Sequence, residues 1–244
     1  MNTGENGRTA APGCPEASPA GRTSPLARPA AVIFDMDGLM LDTEPLAMRA
    51  WSEAAAALGV AFDDALALAM VGRSFADCAA MVEAHYGDGY PVTELLGSWH
   101  ASFDAIVERD GIAVKPGVRE LLDWLSAQGI ARGVATSTRR ERARAKLADA
   151  ALLPHFQTVV GGDDVARGKP APDIYVEAAR RLGASPPACL VLEDSEPGVR
   201  AALAAGMTTV MVPDLHAPST AITAAGALVV PTLLAVLEQL RALR

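Results

Sequence analysis

The chain alternates between short, wholly apolar runs and longer segments in which apolar residues recur at every third or fourth position. The apolar runs predict strands that are buried on both faces, at 31–34, 133–136, 158–160, 189–192 and 208–212. The periodic segments predict helices at 117–129, 138–149, 172–182 and 196–205. Strands that alternate with helices in this way predict an α/β fold with a doubly wound parallel sheet.

The first crossover is far longer than the others. The first predicted strand ends near Asp35, and the next core strand begins only near residue 132. Connections inside a compact α/β unit are usually short. The interval is itself rich in helical patterns, so we expect an inserted helical cap at 45–113 and a core formed by 29–44 and 114–244. The alternative, extra crossover helices packed on the sheet, fits the length of the interval less well.

The two ends of the chain differ in composition. Residues 1–28 are dominated by Pro, Gly, Ser and Ala and contain no apolar run, which predicts a disordered tail rather than a signal peptide. Residues 221–237 are apolar and uncharged, but Gly226 and Pro231 divide them. A short strand at 227–230, followed by a helix with Pro231 in its first turn, explains this segment better than a membrane span.

Composition narrows the classes of partner. The net charge of −8 argues against a nucleic acid or an anionic membrane surface, but it leaves room for a small anionic substrate at a local positive site. The widely separated Cys14, Cys78 and Cys189 lack metal-ligand spacing and predict free thiols in a reducing, cytoplasmic location. Because the chain has 18 Arg but only 3 Lys, a lysine at a suggestive position is more informative than an arginine. The sequence indicates no oligomeric state.

Acidic pairs follow two of the predicted strands. Asp35 and Asp37 come directly after the first strand, and Glu193 and Asp194 follow the fourth. Open α/β sheets bind ligands at the carboxyl ends of their strands, so up to four carboxylates would meet there if the two strands are neighbours. Their repulsion requires bound protons or a hard cation, and oxygen-only ligands favour Mg²⁺ over zinc. Acids that merely begin surface loops would explain either pair alone, but they explain both pairs poorly.

Two further segments supply candidates for an anion site. Thr136 and Ser137 end a predicted strand just before a helix, where hydroxyl and backbone N–H groups can bind phosphate. Ser and Thr are also ordinary N-cap residues, so this pattern fits a phosphate site and a simple helix cap equally well. Lys169 is followed by two prolines that stiffen its loop, and the scarcity of lysine favours a functional position over a solvated one.

Together these groups are typical of phosphoryl transfer. Asp35 would attack phosphorus and form an aspartyl-phosphate, while Mg²⁺ and Lys169 neutralise the charges that oppose the attack. Asp37 would donate a proton to the leaving oxygen and then accept one from the water that hydrolyses the intermediate. Thr136 and the backbone at Ser137 would hold the transferring group.

The motifs that carry these residues resemble those of the haloacid dehalogenase-like hydrolase superfamily. "DMDG", "ATST", "GKPAPDIY" and "LVLEDSEPGVRAALAAGM" correspond in order to its four motifs, and the similarity spans roughly residues 30–215. The resemblance implies a Rossmann-like core with a helical cap, with Asp35 as nucleophile and Asp37 as acid/base. It implies a Mg²⁺ site at Asp35, Asp37, Glu193 and Asp194, in which Asp37 binds through its backbone carbonyl. Glu193 is either a direct ligand or lies one layer out.

Within the superfamily, "DGLMLDTEP" and "VGRS" are similar to the β-phosphoglucomutase and sugar-phosphatase branch. The mutases carry a cap histidine where this chain has Ala47, and a cap arginine where it has Phe75. Arg73 is a candidate substrate-binding replacement, although a surface role fits it equally. The dehalogenase members lack the second aspartate of the first motif, which is present here as Asp37.

We therefore predict a Mg²⁺-dependent phosphatase, a phosphoric monoester hydrolase that acts on a small phosphorylated metabolite such as a sugar phosphate. One alternative is a phosphosugar mutase of the β-phosphoglucomutase type, which the missing cap histidine disfavours. The other is a non-catalytic binding protein on the same fold. Such a protein would be expected to have lost at least one of Asp35, Asp37, Lys169 and Asp194, and all four are present.

Overall fold

The structure is a computed structural model that describes residues 26–70, 73, 75–215 and 217–243. Most of the predicted tail at 1–28, and most of the "VGRS" segment, lie outside the described residues. Within them, six parallel strands form one sheet in the order β3-β2-β1-β4-β5-β6. The strands are β1 Ala31–Phe34, β2 Ala131–Ala135, β3 Thr158–Val160, β4 Cys189–Glu193, β5 Thr208–Met211 and β6 Leu228–Val229. The predicted α/β fold with a parallel sheet is confirmed.

The described residues also form ten α-helices. Four of them lie between β1 and β2 before the first core helix: α1 Glu44–Leu58, α2 Asp64–Ala69, α3 Phe75–Tyr86 and α4 Val92–Asp110. The others accompany the sheet: α5 Val118–Ala127, α6 Arg140–Asp149, α7 Asp173–Leu182, α8 Glu196–Ala204, α9 Thr220–Ala224 and α10 Leu233–Arg241.

Apolar side chains of the central strand alternate between two helical layers. Val32 and Phe34 of β1 face the layer that contains α5, α6 and α10, whereas Ile33 faces α7 and α8. The side chains of β1 are fully buried because helices cover both faces of the sheet. This burial is the reason that the strand appears in the sequence as a continuous apolar run rather than as an alternating one.

The register of β1 brings the two acidic pairs together. Phe34, the last residue of β1, pairs with Val134 of β2 on one side and with Leu192 of β4 on the other. The backbone N–H of Asp35 donates to the carbonyl of Leu192 at 2.9 Å. Neighbouring parallel strands therefore end at one edge of the sheet, as the sequence predicts, and their loops begin there.

Helices α1–α4, which we call the cap, have an apolar core of their own. Trp51, Leu66, Val82 and Leu95 are buried in one cluster that is separate from the clusters on the sheet. Two chain segments connect the cap to the core, and they pair with each other. The N–H of Asp42 donates to Ala113, and the N–H of Lys115 donates to Met40, each at 2.9 Å.

The C-terminal apolar segment folds as a short strand and a helix, with one difference from the prediction. The predicted strand corresponds to β6, at Leu228–Val229. The prediction of Pro231 in the first helical turn is wrong, because α10 begins at Leu233 and Thr232 is its N-cap. The Thr232 hydroxyl accepts from the N–H of Ala235 at 3.2 Å and thereby begins the helix after the proline. No helix in the described part of the chain is long and apolar enough to cross a membrane.

Candidate active site

A cavity of about 350 Å³ lies between the sheet edge and the cap. Most of the predicted site residues line it, and they come from four separate loops of the core. These are Asp35 and Asp37 after β1, Thr136 and Ser137 after β2, Lys169 before α7, and Asp194 after β4. Glu193, the last residue of β4, is fully buried beneath them.

Lys169 lies between two of the acids. Its ammonium group contacts Asp35 Oδ1, and it lies 2.6 Å from Glu193 Oε1. The lysine side chain is only 3% exposed. Burial by itself would lower the pKa of Lys169, but the negative charges of Asp35 and Glu193 raise it well above its usual value. The site therefore contains a lysine that remains charged although it is out of water.

Glu193 is held by donors on both of its oxygens. Oε1 accepts from Lys169 and from the Tyr175 hydroxyl, the latter at 2.7 Å. Oε2 accepts from the backbone N–H groups of Asp194 and Ser195 at 3.0 and 2.9 Å, and from the Ser195 hydroxyl at 3.0 Å. Burial would raise the pKa of Glu193, but the charge of Lys169 and these hydrogen bonds lower it. Five protein donors thus fix the position of the Glu193 carboxylate, and this carboxylate in turn helps to fix the position of Lys169.

Two glycines leave the space that the acids need. A Cβ at Gly198 would lie 1.6 Å from Glu193 Oε1, so no other residue fits there without a shift. A Cβ at Gly38 would lie 2.3 Å from Asp194 Oδ2, and Gly38 also has a φ of +82°, in the left-handed region. Gly38, the glycine of "DMDG", therefore allows both the left-handed turn after β1 and the close approach of the Asp194 carboxylate to that turn.

Three buried carboxylates could hold a cation. One oxygen each of Asp35, Glu193 and Asp194 lies within 4.8 Å of the other two. Burial raises the pKa of Asp35 to about 7, although Lys169 opposes this effect. Burial and the charges of Glu193 and Asp35 raise the pKa of Asp194 well above its usual value. The protein thus lacks enough positive charge here for all its acids, and a set of carboxylate oxygens suits a hard divalent cation.

Asp37 lies in a different environment, although only one residue separates it from Asp35. Its Oδ2 accepts from the Thr138 hydroxyl at 2.7 Å, and its Oδ1 lies 2.8 Å from the ammonium of Lys146 on α6. Burial would raise the pKa of Asp37, but the charge and hydrogen bond of Lys146 lower it. Thr136 is a more distant neighbour, with its hydroxyl 3.5 Å from Asp37 Oδ2.

Sequence reasoning missed two side chains that shape the site, Lys146 and Tyr175. Lys146 lies in a polar helix whose sequence shows no functional pattern. It is, however, one of only three lysines in the chain, and the scarcity that drew attention to Lys169 applies to it equally. Tyr175 has no such signal, because an aromatic residue on the buried face of a helix is usually part of the core.

The cap contributes mainly apolar and aromatic side chains to the cavity. Trp51 and Trp99 line it, and their rings also pack within the cap, with centroids 5.3 Å apart. Arg73 lines the cavity as well, and its Nε donates to the carbonyl of Ala69 at 2.9 Å. Ala47 lines the cavity at the place of the mutase histidine, whereas His100 reaches it from α4. The side chain of Phe75 is outside the described part of the structure.

Comparisons with known proteins identify the family and the fold. A family model described as haloacid dehalogenase-like hydrolase matches residues 29–206. The fructose-1-phosphate phosphatase YqaB of Escherichia coli is 34% identical over 186 residues, which cover 76% of this chain and 97% of that protein. A bifunctional riboflavin kinase/FMN phosphatase of Arabidopsis thaliana is 32% identical over 75% of this chain, but the match spans only 48% of that longer protein. The crystal structure of CbbY from Rhodobacter sphaeroides in complex with phosphate superposes with a TM-score of 0.74 at 29% identity, covering 87% of this chain and 99% of that one.

Proposed function

The chain belongs to the haloacid dehalogenase-like hydrolases, and on that premise we propose that it is a phosphatase acting on a small phosphorylated metabolite, such as a sugar phosphate. One observation carries the proposal. Asp35 and Asp37 line the same cavity, yet Asp35 lies against Lys169 and Asp37 against Lys146. Two carboxylates with different partners can perform two different steps of one reaction. The phosphatase names of YqaB and of the bifunctional Arabidopsis protein support the same reaction class.

Asp35 is the nucleophile in this proposal. A carboxylate oxygen of Asp35 forms a bond to phosphorus while the bond from phosphorus to the leaving oxygen breaks, which gives an aspartyl-phosphate. Asp37 donates the proton that the leaving oxygen needs. It then removes a proton from the water that attacks the aspartyl-phosphate, so that inorganic phosphate leaves and Asp35 is regenerated.

The transferring phosphoryl group is held by the groups that surround Asp35. The ammonium of Lys169 contacts Asp35 and supplies positive charge where the phosphate must approach. Thr136 and Ser137 line the cavity directly after β2. The Thr136 hydroxyl already accepts from the N–H of Thr138 at 3.1 Å, which fixes the loop that presents these groups.

A divalent cation, Mg²⁺ in our proposal, fits the carboxylates of this site. We assign its binding to Asp35 and Asp194, together with the backbone carbonyl of Asp37 that the family resemblance implies. Glu193 lies one layer out, because both of its oxygens already accept hydrogen bonds from protein donors. When bound, the ion would supply positive charge beside Asp35 and the phosphoryl oxygens. We place the reaction in the cytoplasm, as the sequence predicts.

The mutase alternative needs an acid/base on the cap that returns the phosphoryl group to a turned-over intermediate. Ala47 occupies the place of the mutase histidine and has no ionisable group, and the histidine that lines the cavity, His100, comes from a different cap helix, α4. The binding-protein alternative predicts no turnover of any ester. The separate partners of Asp35 and Asp37 suit a mutase as well as a hydrolase, because both reactions pass through an aspartyl-phosphate. Hydrolysis is therefore preferred on the residue at position 47 and on the phosphatase names of the relatives.

The test is phosphate release from a panel of sugar phosphates and small phosphorylated acids, with Mg²⁺ and with EDTA. Asp35→Asn should abolish release, whereas Asp123→Asn on the exposed side of α5 should not change it. EDTA should lower release to the level of Asp35→Asn. If the folded wild-type protein releases no phosphate from any ester, the proposal is wrong, and sugar-phosphate isomerisation and then binding should be tested.

A further inference from the structure

A second lysine, Lys146, lines the cavity beside Asp37. The ammonium of Lys146 lies 2.8 Å from Asp37 Oδ1 and 4.8 Å from the centre of the Phe103 ring on α4. The lysine side chain lines the cavity and is 14% exposed. It thus joins the core helix α6, the proposed acid/base and the cap, and it has no contact with Asp35 among the described interactions.

Its position relates Lys146 to the leaving group rather than to the phosphoryl group. Lys169 contacts the nucleophile Asp35, so it serves the phosphorus side of the reaction. Asp37 must reach the leaving oxygen in order to protonate it. A cation within hydrogen-bonding distance of Asp37 therefore lies within a few ångströms of the atoms attached to that oxygen. This is the part of the substrate that differs between one phosphate ester and another.

Lys146 belongs to a cationic face of α6. Arg139, the N-cap of α6, is followed at spacings of three and four residues by Arg142 and Lys146, which lie on one side of the helix, and all three residues line the cavity. Arg139 and Arg142 pair with Asp163 and Asp104, but neither aspartate lines the cavity. Lys146 pairs with Asp37, which does line the cavity, but its ammonium group has three N–H donors and can therefore bind an anionic group of the substrate as well.

The cap wall of the same cavity is mainly apolar, with Glu44, Arg73 and His100 among its polar side chains. Met48, Trp51, Met70, Trp99 and Phe103 contribute largely apolar surface to it. Apolar surface of this kind favours the carbon atoms of a leaving group over its polar groups. A compact leaving group with a negative charge would therefore place that charge against α6 and its carbon atoms against the cap.

We propose that Lys146 is a specificity residue that binds a second anionic group on the leaving group, either a carboxylate or a second phosphate. This inference rests on the proposed phosphatase function and names its substrate class: phosphate monoesters of small acidic alcohols, or bisphosphates. Arg142, on the same helix face and 36% exposed, provides a second positive charge toward the same group.

The test compares substrates that share one phosphate ester and differ in whether the leaving group carries a second anionic group, with release from the 1-position of the fructose phosphates followed by product identity. One pair is 2-phosphoglycolate and 2-hydroxyethyl phosphate, and the other is fructose 1,6-bisphosphate and fructose 1-phosphate. The pair with the larger anionic preference identifies the carboxylate or the phosphate as the group recognised. In Lys146→Met, the ratio of kcat/KM for the charged and the neutral member should fall roughly 10- to 100-fold. Effects of the substitution on Asp37 act on both members of a pair and cancel in this ratio.

Two further variants serve as controls. Arg144→Met removes a positive charge from the exposed side of α6, outside the cavity, and should leave the ratio unchanged. Lys146→Arg keeps the charge and should retain most of the preference. An unchanged ratio in Lys146→Met, with the neutral esters still hydrolysed, would refute the role of Lys146 and leave the phosphatase proposal standing.

A binding measurement separates the two proposals when turnover is absent. Calorimetric titration of 2-phosphoglycolate and 2-hydroxyethyl phosphate into Asp35→Asn requires no reaction. The charged ligand should bind more tightly, and adding Lys146→Met should remove the difference. Failure of every ester to turn over contradicts the phosphatase function, whereas equal affinities in Asp35→Asn contradict the role of Lys146.

Discussion

Only one residue separates Asp35 from Asp37 in the sequence, but the two side chains differ in their charged neighbours and in the direction of their pKa shifts. Asp35 shares Lys169 with Glu193 and is close to Asp194, so burial and like charges raise its pKa to about 7. Asp37 has Lys146 and the Thr138 hydroxyl to itself, and its pKa is lowered. The comparison shows that the protonation of a carboxylate is set by the loops that arrive from other strands, rather than by its own motif.

The largest expected effect concerns the division of labour between the two acids. 4-Nitrophenolate leaves without a proton, so Asp37→Asn should still form the aspartyl-phosphate from 4-nitrophenyl phosphate, although its hydrolysis slows by about 10³-fold. Rapid mixing should therefore show a stoichiometric burst of nitrophenolate and then slow turnover. Asp35→Asn lacks the nucleophile and should show no burst.

The matched control for this experiment is an alkyl ester, whose leaving group does need a proton. With such an ester, Asp37→Asn should form the intermediate about 10³-fold more slowly than the wild type does. A burst in Asp35→Asn, or equal losses for the aryl and alkyl esters in Asp37→Asn, would mean that the two acids do not divide the reaction in this way.

The next effect concerns the lysine partners of the two acids. Lys169→Met should lower the free energy of unfolding by about 3 kcal/mol, because two buried acids lose the cation that they share. Lys146→Met should cost only about 1 kcal/mol, because it serves one acid and its side chain is partly exposed. Urea denaturation in EDTA at neutral pH measures both values. Equal losses of unfolding free energy in the two variants would contradict the expected contrast between the two ion pairs.

The last expected effect, comparable in size to the difference between the two lysine variants, is a difference in the pH dependence of stability. The pKa of Asp35 is about 7 in the folded protein without a metal ion and about 4 in an unfolded chain, so the folded state binds the proton more tightly. The contribution of Asp35 to stability is therefore present at low pH and is lost as the pH rises from about 4 to 7. In EDTA, the stability of the wild type relative to Asp35→Asn should fall by about 2 kcal/mol between pH 5 and pH 7.5.

Asp37→Asn is the control for this measurement, and it should have no corresponding dependence. The pKa of Asp37 is lowered, so the stability that it contributes is lost only as the pH falls below about 4. If the wild type and Asp35→Asn show the same profile between pH 5 and pH 7.5, then Asp35 is already ionised throughout that range.

Much of the fold could be predicted from patterns along the chain, because burial on both faces of a sheet leaves a continuous apolar run. The run at 31–34 coincides with β1 to the residue, and 158–160 coincides with β3. The ends of helices are harder to predict from the sequence, because capping interactions decide them. The helix predicted from residue 138 begins at Arg140, and the Thr138 that precedes it donates its hydroxyl to Asp37 instead.

The sequence by itself determined which residue types could meet. Two features predicted that Asp35, Asp37, Asp194 and Lys169 lie at one edge of a sheet. One is the acidic pair at the end of each of two buried strands, because neighbouring parallel strands end at the same edge. The other is the lysine in a loop that prolines stiffen. Those inferences depend on strand direction and register, which the periodicity of the chain encodes.

Only the tertiary structure decided how these groups are paired. Contacts between distant segments bring Lys146 to Asp37 and place Tyr175 and the Ser195 loop against the two oxygens of Glu193. Such contacts also place the aromatic rings of the cap along the cavity. Lys146 and Asp37 are 109 residues apart in the chain. The physical reason is that electrostatic and hydrogen-bond energies vary over distances of a few ångströms, and only the folded packing sets those distances.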